Sequence, residues 1–370
     1  MSPFLAVGGV ERVLVNLLKK LDYDKYDVSL CLYTNFGFYF DEIPLQVSVF
    51  SIFNSRFFSR VFIYIKRKFN INFPLKLIVR NKIIKHYNVG VCFSDGILTD
   101  IMLFAKDRVD NKISWVHSCY KSQIDLKNVY TSNYIKMLLK NRYSQLNNLV
   151  FVSTNSRKEF EELFGHPTKM HTIYNLFDYE EVIKKGNEQI TQNQDDEIIK
   201  IVAIGRLAKV KEYSRLLSAA KILSQKKLKF KILIVGDGIL KNELLSLRDS
   251  FSLKDQVDFL GLKLNPYPYL KNSNILALTS SSEAFPTVLI EAMILGVPIV
   301  ATKCSGCVEI TENGKYGLLS EHSAEDIADK IEQMITNPQL RQYYAELAKE
   351  RMVFFNEKET LNKIYTLLDK

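Results

Sequence analysis

The sequence has no run of about 18 apolar residues, which is the length that a membrane-spanning helix needs. Its first residues, MSPFLAVGGVER, also lack the basic stretch and the cleavage site of a secretory signal peptide. We therefore expect a cytoplasmic protein. Charged residues make up 25% of the chain and hydrophobic residues 47%, which are the proportions of a globular protein.

Cysteine is scarce, because the 370 residues contain only five cysteines at scattered positions. The odd number argues against a disulfide framework and fits the reducing cytoplasm. Cys304 and Cys307 have C-x-x-C spacing, but no second cysteine pair or histidine pair accompanies them. We expect neither a metal site nor a redox site there.

Acidic residues are absent between Glu42 and Asp95, and the net charge of +9 resides wholly in the first half of the chain. Cationic and aromatic side chains are interleaved in this gap, namely Arg56, Arg60, Lys66, Arg67, Lys68, Lys76, Arg80, Lys82 and Lys85 with Phe57, Phe58, Phe62, Tyr64, Phe69 and Phe73. The composition of residues 55–85 therefore predicts that this segment makes peripheral contact with the anionic inner face of the cell membrane. The alternatives are an ordinary solvated face and a nucleic-acid surface, and we expect no nucleic-acid partner.

Short apolar strands alternate with helical patterns along the chain, which predicts an α/β protein with parallel sheets. A chain of 370 residues suggests two domains. We predict a first domain over residues 1–175, a second over 176–352, and a C-terminal helix over 353–370. The first strand is abbreviated, because only seven residues precede Gly8 and Pro3 is one of them.

A strand, a loop, a helix and a second strand are predicted between Asn274 and Ala301. Glu283 lies on the loop, Glu291 lies eight residues later on the helix, and Pro286 suits the first helical position. The N-terminus of such a helix attracts phosphate, because its first N–H groups are free and its dipole is positive there. Two carboxylates nearby would accept hydrogen bonds from hydroxyl groups. The pattern indicates a ligand such as a nucleotide sugar, and the alternative is two glutamates that merely face water.

Other candidate residues also follow predicted strands. Arg206 and Lys211 flank a loop, where a guanidinium fork and an ammonium group could clamp a diphosphate or could simply be solvated. Gly8 and Gly9 open a helix and would let a phosphate approach the backbone, although a plain turn has the same pattern. His117 follows a strand at the sheet edge where ligands bind, although a lone histidine is more often structural.

Taken together, four of these motifs resemble those of retaining glycosyltransferases of family 4. In chain order they are the first glycine loop at Gly8–Arg12, the histidine motif at Trp115–Ser118, the donor-diphosphate clamp at Gly205-Arg206 with Lys211, and the glutamate-x7-glutamate motif from Glu283 to Glu291. The last is the most specific, and the resemblance spans nearly the whole chain.

The resemblance implies the GT-B fold, in which two Rossmann-like domains face each other across a cleft and a C-terminal helix returns to the first domain. It implies that the nucleotide sugar binds mainly to the second domain without a metal or other cofactor. Arg206 and Lys211 would neutralise the diphosphate. Phosphate and sugar would be held by the backbone around Phe285, Pro286, Thr287 and Val288.

The same resemblance implies roles for four more residues. Glu283 would accept hydrogen bonds from hydroxyls of the donor sugar, and Glu291 would bind the ribose. Gly9 would close over the phosphates, and His117 would contact the sugar near its reacting carbon. Glu283 and His117 are thus the predicted catalytic residues.

The predicted activity is transfer of a hexose or N-acetylhexosamine from a nucleotide-diphosphate sugar, with UDP as the expected nucleotide and with retention of anomeric configuration. The acceptor would be a glycan or a polyprenyl-linked glycan in surface polysaccharide biosynthesis. Two alternatives are a non-hydrolysing UDP-sugar 2-epimerase and a non-catalytic scaffold of a glycan-assembly complex. The chain departs from the family pattern at its abbreviated first strand, at Glu212 and at Ala284, and only the first departure bears on activity.

Overall fold

The computed structural model describes residues 1–69, 71–120, 139–190 and 198–369. These residues form two compact units. The first unit comprises Met1–Phe177 together with the chain from Glu357 onward, and the second comprises Asp178–Asn356. The chain therefore passes between the units twice, once after Phe177 and once after Asn356.

The strands of both units are parallel to their neighbours. The first unit contains β1 (Ser29–Thr34), β2 (Ser48–Phe53), β3 (Tyr87–Cys92), β4 (Val109–Val116), β5 (Asn148–Phe151) and β6 (Lys169–Thr172). The second contains β7 (Ile199–Ile204), β8 (Phe230–Val235), β9 (Val257–Gly261), β10 (Ile275–Leu278), β11 (Ile299–Thr302) and β12 (Leu318–Ser320).

Helices connect these strands in both units. Those of the first unit are α1 (Gly9–Lys20), α2 (Arg56–Phe69), α3 (Phe73–Lys82), α4 (Ile97–Phe104) and α5 (Thr154–Phe164). The next are α6 (Tyr179–Gly186), α7 (Tyr213–Gln225), α8 (Lys241–Ser250), α9 (Tyr267–Lys271) and α10 (Thr287–Ile294). The last are α11 (Ser305–Ile310), α12 (Ala324–Thr336), α13 (Pro338–Met352) and α14 (Glu357–Leu368).

The sheet of the first unit is completed by the N-terminal segment Met1–Leu5. Ser2 forms a parallel bridge with Leu32 of β1, and on the other side the N–H of Phe93, just after β3, donates to the carbonyl of Met1 at 2.9 Å. The segment therefore lies between β1 and β3, and the order across the sheet is β2, β1, segment, β3, β4, β5, β6. The abbreviated first strand is thus present as an extended segment that leads directly to Gly8.

The sheet of the second unit has the order β12, β11, β10, β7, β8, β9. The chain builds outward from β7 through β8 to β9, then crosses to β10 on the other side of β7 and builds outward again. In the register between these two strands, Ile275 lies opposite Ile201 and Leu276 opposite Val202. This reversal of strand order is the arrangement that binds nucleotides in doubly wound α/β folds.

The core of the second unit follows from apolar strands that are covered by helices. The strand β8 has the sequence FKILIV, and almost all of it is buried, as expected for a parallel strand covered on both faces. Leu216 and Leu217 of α7 and Ile327 and Ile331 of α12 join the same buried cluster. Together with Ala220 and Leu223, the two leucines recur every three or four residues, as Ile327 and Ile331 do, so each helix has one apolar face.

The helix α14 belongs to the first unit although it ends the chain. Its Glu357 pairs with Lys20 at the end of α1 at 3.0 Å. The ring of Tyr365 stacks on Tyr26 with 5.9 Å between centroids, and its hydroxyl donates to the Lys20 carbonyl at 3.0 Å. Ile364 is buried on the same helix.

We predict that Leu5→Ala destabilises the first unit by about 2–5 kcal/mol, because it leaves a cavity at a fully buried position of the N-terminal segment. Urea unfolding can be followed by the fluorescence of Trp115, which is the only tryptophan and lies in β4. Leu45→Ala is the matched control, because Leu45 lies in the same unit and is fully exposed. Equal stability of the two variants would contradict the strand-like role of the segment.

Candidate functional site

Two loops of the second unit leave neighbouring strands at the reversal of strand order. The first follows β7 and contains Gly205 to Glu212, and the second follows β10 and contains Thr279 to Pro286. Because both strands are parallel and adjacent, the two loops lie at the same edge of the sheet. Ligands of open α/β sheets bind at this position. All second-unit residues predicted to bind the donor lie on these loops or on the helix α10 that follows.

Hydrogen bonds tie the two loops to each other. The N–H of Ser281 donates to the carbonyl of Val210 at 2.8 Å, and the hydroxyl of Thr279 donates to the carbonyl of Lys211 at 3.0 Å. The side chains also meet, because Nζ of Lys211 lies 2.5 Å from Oε1 of Glu283. The structure therefore brings together Lys211 and Glu283, which are 72 residues apart in the sequence.

Three groups orient Glu283. Its Oε1 accepts hydrogen bonds from Lys211 and from the hydroxyl of Ser280, the latter at 2.7 Å, and its carbonyl accepts from the N–H of Gly306 at 2.8 Å. The Glu283 and Lys211 side chains are only 15% and 21% exposed. The ion pair is therefore partly shielded from water, and both charged groups remain accessible at the sheet edge.

The helix α11 packs against the back of the Glu283 loop. A Cβ on Gly306 would lie 2.6 Å from the carbonyl oxygen of Ala284 and 2.8 Å from that of Glu283, so this close approach requires glycine. Cys304 and Cys307 lie at the start of this helix, with their sulfur atoms 2.9 Å apart. Both thiols are buried, and burial raises the pKa of Cys307 well above its usual value.

The helix α10 begins directly after the Glu283 loop. Pro286 lies one residue before the helix, with extended dihedral angles of φ −67° and ψ 107°, and not at the first helical position as predicted. Phe285 and Val288 are buried and Thr287 is half-buried. The first N–H groups of α10 have no partner within the helix, and its positive dipole end lies beside Glu283.

The other two donor-site candidates have different surroundings. Arg206 is exposed, and its guanidinium has no ion-pair partner among the residues that the structure describes. Glu291 lies in the second turn of α10 and is 8% exposed. The site therefore offers one exposed cation, one cation paired with a carboxylate, and one helix N-terminus.

In the first unit, Gly9 and His117 each follow an extended segment of the sheet. Gly9 is exposed and begins α1, immediately after the N-terminal segment. His117 follows β4, and its ring lies 5.0 Å from the ring of Phe93. Its Nε2 is buried without a hydrogen-bond partner among the described residues, and burial lowers the pKa of His117 to about 3. The imidazole is therefore neutral at neutral pH and has one unsatisfied nitrogen.

A polar cluster surrounds the neighbouring strand end. Asp95 follows β3 and accepts a hydrogen bond from the hydroxyl of Tyr120, which also contacts the hydroxyl of Tyr143. Burial raises the pKa of Asp95, although hydrogen bonds from Tyr120 and Ser118 oppose this. The position of Asp95 at a strand end was visible in the sequence, but its tyrosine partners were not.

Two family descriptions match the chain. Glycosyltransferase Family 4 matches residues 7–181, and Glycosyl transferases group 1 matches residues 184–351. Together they cover both units. The chain belongs to glycosyltransferase family 4.

Individual relatives agree with this family. An N-acetylgalactosamine-N,N'-diacetylbacillosaminyl-diphospho-undecaprenol 4-alpha-N-acetylgalactosaminyltransferase from Campylobacter jejuni is 31% identical over 237 residues, which are 60% of this chain and 63% of that protein. The amylovoran biosynthesis glycosyltransferase AmsD from Erwinia amylovora is 28% identical over 52% of this chain and 53% of its own length. The matches thus span less than two thirds of either relative.

The fold is shared over the full length with a solved structure. The crystal structure of Anabaena Alr3699/HepE in complex with UDP and glucose superimposes with a TM-score of 0.78 and 19% identity, over 100% of this chain and 99% of that one. The predicted GT-B fold with two Rossmann-like domains is confirmed. In the described part of this family 4 chain, no helix is long and apolar enough to cross a membrane.

We predict that His117 makes this family 4 protein less stable as the pH falls. The folded-state pKa of about 3 lies below the ordinary value of 6.5, so between these values only the unfolded chain binds the proton. From pH 7 to pH 5 this costs about 2 kcal/mol of unfolding free energy. His117→Gln should remove that loss, as measured by urea unfolding and Trp115 fluorescence at both pH values.

The control is His166→Gln, because the His166 side chain is 70% exposed in the same unit. This variant should keep the pH dependence of the wild-type protein. An unchanged pH dependence in His117→Gln would show that the ring takes up a proton without penalty.

Proposed function

We propose that this protein is a glycosyltransferase of surface polysaccharide biosynthesis. It moves a hexose or N-acetylhexosamine from a nucleotide-diphosphate sugar, with UDP as the nucleotide, to a glycan or lipid-linked acceptor, and the anomeric configuration is retained. The observation that carries the proposal is the Lys211–Glu283 ion pair, which lies at the β7–β10 reversal beside the N-terminus of α10.

The charges of the site suit a diphosphate and a sugar. The exposed guanidinium of Arg206 can donate two parallel hydrogen bonds to phosphate oxygens, and the N-terminal N–H groups of α10 can donate to others. Lys211 has three donors, of which Glu283 uses one. Glu283 keeps acceptor capacity for sugar hydroxyls. Glu291, further along α10, is the proposed partner of the ribose.

The same cations supply the proposed catalysis. When the bond from the anomeric carbon to the diphosphate breaks, negative charge grows on the leaving phosphate, and fixed positive groups stabilise that charge. We propose that Arg206 and Lys211 act as such groups and that no metal or other cofactor is required. In a retaining transfer the acceptor oxygen bonds to the same face of the sugar, and its proton passes to a departing phosphate oxygen.

The proposed donor and acceptor classes draw on the relatives. The Anabaena structure holds UDP and glucose, which supports UDP as the nucleotide. The Campylobacter protein is named for a diphospho-undecaprenol acceptor, and the Erwinia protein for amylovoran biosynthesis. We extend these classes to this chain as a cytoplasmic transferase that acts on a growing surface glycan.

The roles proposed for the first unit rest on two residues. Gly9 has no side chain at the start of α1, so a phosphate can approach its N–H group closely. His117 has a buried, unpartnered Nε2 that can form a hydrogen bond with a hydroxyl of the donor sugar. A neutral ring suits this role, because it carries no charge that would have to be desolvated.

The alternatives predict different products. A 2-epimerase would convert the UDP-sugar to its epimer without an acceptor, and a scaffold would bind UDP without turnover. Product analysis by mass spectrometry and NMR, with and without a lipid-linked acceptor, separates all three functions.

We predict that Lys211→Met and Glu283→Gln each lower kcat/KM for the UDP-sugar by about 100-fold or more, because each removes a charge at the reacting diphosphate or sugar. Turnover should persist in the presence of EDTA. The control variants are Lys226→Met and Glu332→Gln, because these residues form a surface ion pair in the same unit. Wild-type turnover in both site variants would refute the proposed donor site.

A second proposed partner is the anionic membrane surface. On α2, Phe57, Arg60, Tyr64 and Lys68 recur every three or four residues, and all four side chains are exposed. They form one stripe of alternating aromatic and cationic groups along the helix. Phe73, at the start of α3, is also exposed. Aromatic rings enter the lipid interface while the cations bind anionic headgroups, which would bring the enzyme to a lipid-linked acceptor.

We predict that the protein floats with vesicles of phosphatidylcholine and phosphatidylglycerol at low salt, and less at high salt, because the attraction is screened. Phe57→Ser combined with Arg60→Glu should lower the bound fraction by at least about fivefold. Lys254→Glu is the control, because Lys254 is an exposed cation of the second unit. Equal recovery with neutral and anionic vesicles would exclude this surface as an electrostatic membrane contact.

A further inference from the structure

A buried arginine closes the end of α11 that lies away from the donor loop. Nε of Arg351 donates to the carbonyl of Ile310, and its Nη2 donates to the carbonyl of Glu309, both at 2.9 Å. These are the last two residues of α11, whose C-terminal carbonyls have no partner within the helix. The guanidinium therefore acts as a C-terminal cap that comes from another helix, α13.

Aromatic rings enclose the rest of this guanidinium. Its central carbon lies 4.3 Å from the ring centroid of Phe354, 5.1 Å from that of Phe355 and 5.3 Å from that of Tyr316. Arg351 is only 8% exposed, and no carboxylate of the described residues pairs with it. Its charge is stabilised by two carbonyls and by ring faces.

One connection from Arg351 to the donor loop runs through α11 itself. The helix has six residues, so its two ends are only about 9 Å apart and move together. At its start, the N–H of Gly306 holds the carbonyl of Glu283, with no room for even a methyl group between the two backbones. A shift at the capped end of the helix therefore reaches the Glu283 backbone.

A second connection runs through Phe355. Its ring lies against Arg351 on one side and meets the ring of Phe285 edge to face, with 5.6 Å between centroids and an angle of 74°. Phe285 is buried and lies between Glu283 and the first turn of α10. The carbonyl of Phe355 accepts a hydrogen bond from the hydroxyl of Tyr179, which holds the backbone that carries this ring.

We infer that Arg351 is a positioning residue for the donor loop from Glu283 to Thr287. It holds α11 against the Glu283 backbone and Phe355 against Phe285, so two points of the loop depend on one guanidinium. Arg351 does not touch the proposed ligand. This inference rests on the proposed donor site, and it assigns a role in substrate binding to a residue outside the four motifs.

Arg351→Met tests the inference, because methionine keeps an unbranched apolar stem and removes all donors. The dissociation constant of UDP, measured by isothermal titration calorimetry well below the melting temperature, should rise about tenfold, which equals about 1.4 kcal/mol. Arg351→Lys should recover part of this loss, because an ammonium group can reach one carbonyl but cannot bridge two. KM for the UDP-sugar should rise more than kcat falls.

The matched control is Arg248→Met. Arg248 also donates to a backbone carbonyl, that of Val257, and lies over the ring of Phe259 in the same unit, and it pairs in addition with Asp249. None of these contacts involves the donor loop. This variant should lose a similar amount of thermal stability and keep wild-type affinity for UDP. A purely structural role of Arg351 would give the same result for both arginine variants and would overturn the inference.

Hydrogen exchange gives a readout that does not need a ligand. Amides between Ser280 and Leu289 should exchange about tenfold faster in Arg351→Met than in Arg248→Met, because the loop loses both of its supports. If Lys211→Met weakens UDP binding and Arg351→Met changes neither affinity nor exchange, only the inference fails. If UDP does not bind to the wild-type protein, the proposed function fails. If hydrogen exchange of the loop is also the same in Arg351→Met and Arg248→Met, the inferred support of the loop by Arg351 fails as well.

Discussion

The reversal of strand order between β7 and β10 is the constraint on which the rest of the site depends. The chain leaves β7 toward β8 and leaves β10 toward β11, which are opposite directions across the sheet. No helical connection between the described strands therefore covers the loops that follow β7 and β10. Lys211 and Glu283 lie on these two loops and meet across the gap. The first unit repeats the same topology, with the N-terminal segment beside β3 and Gly9 at the corresponding strand end.

The Lys211–Glu283 pair would order the proposed donor site before its ligand arrives. Each charge satisfies the other, and Ser280 and Gly306 hold the glutamate from both its side chain and its backbone. Side chains that are already fixed lose little conformational entropy on binding. The exposed Arg206 has no such support, so its side chain would be ordered only by the ligand.

Much of this architecture could be predicted from the sequence, and the same reasons explain which features could not be predicted. The strand β8 can be recognised in the sequence, because its largely apolar run ends abruptly at Gly236 and Asp237, whereas β6 has the sequence KMHT and gives no apolar signal. Lys211 and Glu283 were found through their spacing and the family motifs. Ser280 and Gly306 were not, because their role depends on a hydrogen bond and a close contact that appear only when α11 packs on the loop. The C-x-x-C spacing brings two sulfur atoms together because Cys304 is the N-cap of α11, where its side chain faces the third helical residue, Cys307.

The first unit is assembled from two separated pieces of the chain, since α14 packs with α1 while the whole second unit lies between them in the sequence. During synthesis the second unit is contiguous and can complete its core before α14 has been synthesised. Synthesis of the first unit begins earlier, but its core is complete only when Ile364 and Leu367 of α14 are buried. The nascent chain therefore leaves the apolar partners of Ile364 and Leu367 in the first unit uncovered until α14 has been synthesised.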